Sequence, residues 1–190
     1  MRLQPLPPPS LSTEQQRLYR DITEVVDTSF GELVARRSDG ALIGPFNPWL
    51  HFPQFGAPAW AFNKSLWDFR VLPEVVHQLV ILVTVAKFGA RYALDGHEYF
   101  ARRAGLSDAK ISAVAAGERP TDLTDDERLA YDMAAALNRG GVLPESTYRA
   151  AAGRFGEQGA AEIVFLVGCF SMVAVTLNAF DVPLPGLHEA

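Results

Sequence analysis

The stretch Ile163 to Leu177, IVFLVGCFSMVAVTL, constrains the fold more than any other part of the chain. A surface helix normally shows a polar stripe, and this one would have none, so it must be covered on every side. Its fifteen residues fall short of the roughly 20 that span a bilayer, and Glu162 and Asn178 close it at either end. It therefore reads as a buried helix with no membrane contact. Other long helices are few, so packing within an oligomer is the simplest way to cover it.

The rest of the chain supports an all-α fold. A length of 190 residues with 48% apolar content suits a single domain with a real core. Residues 1–12, MRLQPLPPPSLS, form an extended Pro-rich arm. Ser12 or Thr13 caps a first helix expected over 13–37. Gly40, Gly44, Pro45 and Pro48 mark 38–48 as a loop. The aromatic segment WLHFPQFGAPAWAFNKSLWDF gives a short turn and a helix over about 57–70. Pro73 starts a helix that runs through VVHQLVILVTVAKF to a break at Gly89. Further helices are expected from Gly89 to Gly105, from Ser107 to Gly117, from the Thr124 capping box to Asn138, from Pro144 to Phe155, and from 160 to 179 after a turn at Gly156–Gly159. The single domain spans 13–185, with 186–190 as a tail. Strand-like alternation is absent, and no repeat at a fixed period appears.

Composition removes several classes of function. There are 17 basic and 22 acidic residues, for a net charge of −5, and no basic cluster exceeds a pair, so nucleic acid is not an expected partner. Cys169 is the single cysteine, which excludes an internal disulfide, a redox thiol pair and a cysteine-rich metal site, and fits a reducing, cytoplasmic setting. The N-terminus lacks the apolar run of about 7–15 residues that a secretory signal needs. Four histidines, 51, 77, 97 and 188, are scattered with no H-E-x-x-H pair, so no metal is expected. Neither a G-x-S-x-G elbow nor a glycine-rich phosphate loop is present, and no cofactor is expected.

In GARYALDGHEY, residues 89–99, helical spacing puts positions 90 and 93, Leu94 and His97 on one face, with Arg91, Asp95, Glu98 and Arg102 around the other. An inward histidine needs a reason. It is either a general acid or base at the end of an apolar stripe, or a core histidine satisfied by a backbone carbonyl or by Gln78.

The string LPEVVHQLVILVTVAKFGARYALDGHEYFARRAGLS resembles the signature of the carboxymuconolactone decarboxylase and alkylhydroperoxidase-D-like (AhpD-like) family. GPFNPWLHFP upstream and GEQGAAEIVFLVGCFSMVAVTLNAFDVPLP downstream resemble its decarboxylase-like branch, so the likeness covers about residues 44–185. The resemblance implies about six core helices, assembly as a dimer, trimer or hexamer, and a pocket around paired central helices. In the peroxidase branch a Cys-x-x-Cys pair precedes the histidine and a glutamate lies farther upstream. Here those positions are Ala90, Ala93 and Gln78. Without the thiols peroxide reduction by that mechanism is not available, and of the relay only His97 titrates near neutrality.

The resemblance therefore points to a cofactor-independent lyase or isomerase acting by proton transfer on a small cyclic or aromatic-derived carbonyl or carboxylate compound. His97 would be its acid or base, with Gln78 and Tyr92 as hydrogen-bonding groups. Phe46, Trp49, His51 and Phe52, together with Phe55 and Trp60, are candidates for an aromatic pocket wall, and His77, Lys87 and Asp95 for polar contacts to substrate. Each also has a plain structural reading as core or solvated helix surface. The alternative is an oligomeric binding protein that keeps the pocket and has lost the chemistry. Glu162 and Asn178, bordering a buried segment, each need a partner.

Overall fold

The computed structural model describes residues 1–31 and 33–184. Among these the regular structure is helical: a 3-10 turn at Pro8–Ser10 and eight α-helices, α1 (Thr13–Ser29), α2 (Phe46–His51), α3 (Pro53–Asp68), α4 (Glu74–Lys87), α5 (Arg91–Arg103), α6 (Asp108–Ala115), α7 (Asp125–Arg139) and α8 (Glu145–Ala179). His188 lies outside the described residues.

The capping chemistry read from the sequence sets several helix starts. Ser12 and Gln15 form a reciprocal capping box for α1, Thr124 and Glu127 do the same for α7, and the Ser107 hydroxyl accepts from Lys110 N at the start of α6. Several boundaries differ from expectation. The first helix stops at Ser29 instead of 37, because Gly31 adopts φ +62 and the chain then folds into a tight bridge between Arg36 and Leu42 around Asp39 and Gly40. The loop expected over 38–48 ends in a further short helix, α2. Its close join to α3 requires Gly56, where a Cβ would lie 2.2 Å from Trp49 O. The turn expected at Gly156–Gly159 is reduced to Gly156 alone, with φ +74, and helical conformation resumes directly after it.

α4 is the centre. Val76 through Val85 are all buried, and α5, α6, α7 and α8 pack around them. α8 carries the long apolar run; it is the one helix among the described residues long and apolar enough to cross a membrane, and 56% of that stretch is buried in the protein. Its outward side leaves Val164, Phe165 and Val175 exposed. α1, α2 and α3 form a second layer, with α3 resting on α8. The N-terminal arm binds the two layers together: Arg2 N donates to Phe180 O at 2.9 Å, and His51 Nε2 to Gln4 O at 2.8 Å.

Candidate active site

Three polar side chains in the buried length of α4 each need a partner, and each finds one on a different helix. Thr84 Oγ1 receives Asn138 Nδ2 from α7 at 3.2 Å. His77 Nδ1 lies 2.7 Å from Glu162 Oε1 on α8. Gln78 Oε1 lies 2.9 Å from His97 Nδ1 on α5.

The last contact orients His97. With the Gln78 amide placed so that Oε1 faces the ring and Nε2 has no partner, Nδ1 carries the hydrogen, and in the neutral ring His97 Nε2 is left as a lone pair. Among the described residues no hydrogen bond reaches Nε2, and it is not sealed off; His97 lines a cavity of ≈ 610 Å³. Burial, and then the electrostatic influence of His77, push the His97 imidazole down to about 3 from its ordinary 6.5. The ring is therefore neutral at physiological pH. Phe170 meets it edge-on, with centroids 4.8 Å apart.

The cavity lies between the α1–α3 layer and helices α5 and α8. Its wall is a chain of aromatic rings in contact: Phe100 edge-on to Phe30 at 5.6 Å, Phe30 tilted by 48° to Phe46 at 6.0 Å, and Phe46 edge-on to Trp60 at 5.8 Å and 88°. Trp49 and Trp67 complete it, so all three tryptophans of the chain face this space. Tyr92 also lines it. Burial first and the Asp95 charge second raise its phenol well above the ordinary value, so it keeps its proton. Its ring packs against Gly44, where a Cβ would stand 2.5 Å from Tyr92 Cε1 and where φ is +67. Charged groups sit at the mouth: Lys64 paired with Asp68, Arg70 with Glu74, Arg103 over the Tyr99 ring, and Glu24.

Of the residues expected at the site, His97, Tyr92, Phe46 and Trp49 meet in this cavity, and Trp60 with them, while Gln78 stands behind His97. The others lie elsewhere. His51 is bound to the N-terminal arm. Phe52 stacks on Phe180 outside the cavity. Phe55 is 71% exposed, and Lys87 and Asp95 are on the solvent side of their helices. His77 is fully buried, paired with Glu162 and packed on Trp67 with centroids 4.6 Å apart.

The Glu162 carboxylate is satisfied three times over, since its other oxygen accepts from Val71 N at 2.7 Å and Leu72 N at 3.0 Å. Burial pushes its pKa up. The His77 bond, the two amides and the electrostatic influence of His77 outweigh that and hold it below the usual carboxylate range. Asn178, the other polar residue bordering the apolar run, donates to Phe88 O at 2.8 Å.

Sequence reasoning passed over Phe100, Phe170 and Phe30. Phe100 stands one helical step after His97, a spacing that could have found it. Phe170 was hidden in an apolar run, and Phe30 follows a helix whose end was misplaced. The positions of the missing thiols divide: Ala93 faces the cavity and Ala90 is buried behind it. The one thiol present, Cys169, is fully buried; burial raises it to about 11, with Asn63 Nδ2 donating to Sγ at 3.5 Å as a smaller opposing effect. It is not an available thiolate.

No family model matches the chain, and no curated protein matches it in sequence. Solved structures do match its fold. The alkylhydroperoxidase AhpD core of an uncharacterized peroxidase-related protein from Ralstonia eutropha superposes with a TM-score of 0.78 at 16% identity, over 97% of this chain and 92% of that one. The debrominase Bmp8, as a cysteine-to-alanine variant in complex with 2,3,4-tribromopyrrole, gives 0.71 at 15% identity, over 98% and 92%. A protein of unknown function from Agrobacterium tumefaciens, assigned provisionally to antioxidant defence as AhpD, gives 0.64 at 16% identity, over 73% and 96%. The chain thus has the AhpD-like all-α fold. Within that fold it presents a cavity with a histidine and no accessible thiol.

Proposed function

We propose that the protein is a cofactor-independent enzyme that moves a proton at His97 on a small cyclic or aromatic-derived carbonyl compound, as a decarboxylase-like lyase or an isomerase. The observation that carries this reading is the cavity-facing lone pair of His97 Nε2, its opposite nitrogen held by Gln78. The resting imidazole is neutral. If Nε2 takes the proton of a C–H beside a carbonyl, the C–H electron pair moves to the carbonyl oxygen as an enolate, and that anion stabilises the imidazolium next to it. The proton then sits on His97 only while the anion is present, which favours its return to carbon. Tyr92, held protonated, can donate to the developing oxyanion. The fold neighbour that holds a tribromopyrrole supports a small planar ring as the kind of ligand such a fold accommodates.

Proton transfer can be tested before the net reaction is known. Cyclic ketones and lactones incubated with the protein in D2O should exchange their α-hydrogens, read by proton NMR, and His97→Ala should lose that exchange while keeping its helical circular dichroism. Exchange that persists in His97→Ala would remove His97 from the chemistry. The low basicity of His97 favours a second reading, a binding protein without turnover. That reading predicts ligand binding with no exchange in the wild type.

A further inference from the structure

The polar groups of the cavity divide by depth. Every charged side chain that lines it is at the mouth and partly or fully exposed, and the charges there balance: Glu24, Asp68 and Glu74 against Lys64, Arg70 and Arg103. Among the described residues the wall inside the mouth has rings, aliphatic groups, the Tyr92 hydroxyl, the Asn63 amide and the unpartnered Trp60 Nε1–H, and no cation. Beside these groups His97 offers Nε2 as an acceptor, because Gln78 Oε1 takes the Nδ1 hydrogen. A ligand oxygen with no hydrogen, placed at this nitrogen, would meet it lone pair against lone pair, so a ketone oxygen belongs at the Tyr92 hydroxyl instead. A carboxylate would in addition lose its water with no cation to replace it. Protonating His97 to receive an anion is opposed by the same burial. An O–H or ring N–H, by contrast, satisfies Nε2 directly, and the rings of Phe30, Phe46, Trp60 and Phe100 line a space suited to a flat apolar body.

We propose that the ligand of this cavity is an uncharged planar ring bearing one acidic O–H or N–H, seated with that donor on His97 Nε2, so that the site selects against carboxylates. This rests on reading the cavity as a ligand site and narrows the substrate class within it.

Three probes of nearly equal size separate the possibilities: p-cresol, 4-methylanisole and 4-methylbenzoate. The protein is labelled with 5-fluorotryptophan, which places a fluorine on each of three residues that all line the cavity, and each probe is titrated at neutral pH by fluorine NMR. p-Cresol should bind about tenfold more tightly than either of the others, the effect of one buried acceptor left unpaired. His97→Leu should bring p-cresol and 4-methylanisole level. If the anisole or the benzoate binds as tightly as the cresol in the wild type, or if the cresol keeps its advantage in folded His97→Leu, the proposal is overturned while the cavity stands as a ligand site. If none of the probes shifts any tryptophan signal, both fall. Should His97→Leu fail to fold, the wild-type comparison alone decides.

Discussion

Glu162→Leu tests the internal architecture that sets the site. The carboxylate accepts from His77 Nδ1, Val71 N and Leu72 N, and so ties α8 to the α3–α4 turn and to the start of α4, one residue before Gln78. Its side chain is 6% exposed and that of His77 0%, so water does not replace what is lost. Removing one partner of such a buried pair costs about 3–5 kcal/mol. For a chain of this size each kcal/mol lowers the melting temperature by about 2–4 °C, which predicts a fall of about 6–20 °C. Glu162→Gln should fall between: its carbonyl keeps one acceptor, but its NH2 faces donors where the second carboxylate oxygen stood. The double variant Glu162→Leu/His77→Leu should recover part of the loss, because replacing both partners by apolar groups leaves no buried charge behind. The assay is thermal unfolding by far-UV circular dichroism at neutral pH, with protomer concentration held constant. A Glu162→Leu melting temperature within about 2 °C of the wild type would refute the reasoning, since that is less than the cost of one unsatisfied buried group.

Stability should also fall with acidification. The His97 pKa is lowered from 6.5 to about 3 on folding, so between these values the unfolded chain binds a proton that the folded one does not, and each pH unit removes at most about 1.4 kcal/mol. Glu162 and Glu127, both depressed, contribute stability that is present above their unfolded value of 4.5 and is lost as pH falls through the lower folded value. Urea unfolding across this range in wild type and His97→Leu should show the shallower slope in the variant; equal slopes would contradict the neutral His97. Gly44→Ala combines a positive φ with a clash on the Tyr92 ring and should destabilise by more than about 1 kcal/mol, read as a lower urea midpoint; an unchanged midpoint would mean the ring moves freely. We also propose that the outward face of α8 is covered by a second copy of the chain. Phe165 and Val175 are each 53% exposed there, and a Cβ at Gly168 would touch nothing. Light scattering should give an oligomer that Phe165→Glu/Val175→Glu dissociates, and a monomeric wild type would count against it.

Most of the helices were legible because their ends are written in side-chain chemistry: capping boxes at Ser12 and Thr124, Ser107 at α6 and the Pro73 start of α4. The end of α1 was not, because Gly31 acts there through a single backbone angle. At the site, the inward face of α5 and the Gln78–His97 contact followed from helical spacing and from the resemblance. The division of the aromatic segment did not. Phe46, Trp49 and Trp60 turn to the cavity while His51, Phe52 and Phe55 turn away, and that is decided by the α2–α3 join at Gly56, which periodicity does not register. His77 looked like a surface group able to bind a substrate; its partner Glu162 is distant in sequence, so the pair appears only once α4 and α8 are packed.

The central claim is that His97 is a neutral imidazole whose Nδ1 hydrogen is held by Gln78 and whose Nε2 is open to a thiol-free cavity. Long-range nitrogen–proton correlation NMR of histidine-labelled protein, followed from pH 8 toward the acid limit of folding, measures this directly. The account predicts that the His97 signals keep the pattern of a neutral ring protonated at Nδ1 well below the ordinary 6.5, and that Gln78→Glu, which puts a carboxylate at Nδ1, raises its titration toward neutrality. A wild-type His97 that protonates near 6.5, or that carries its hydrogen on Nε2, would contradict it.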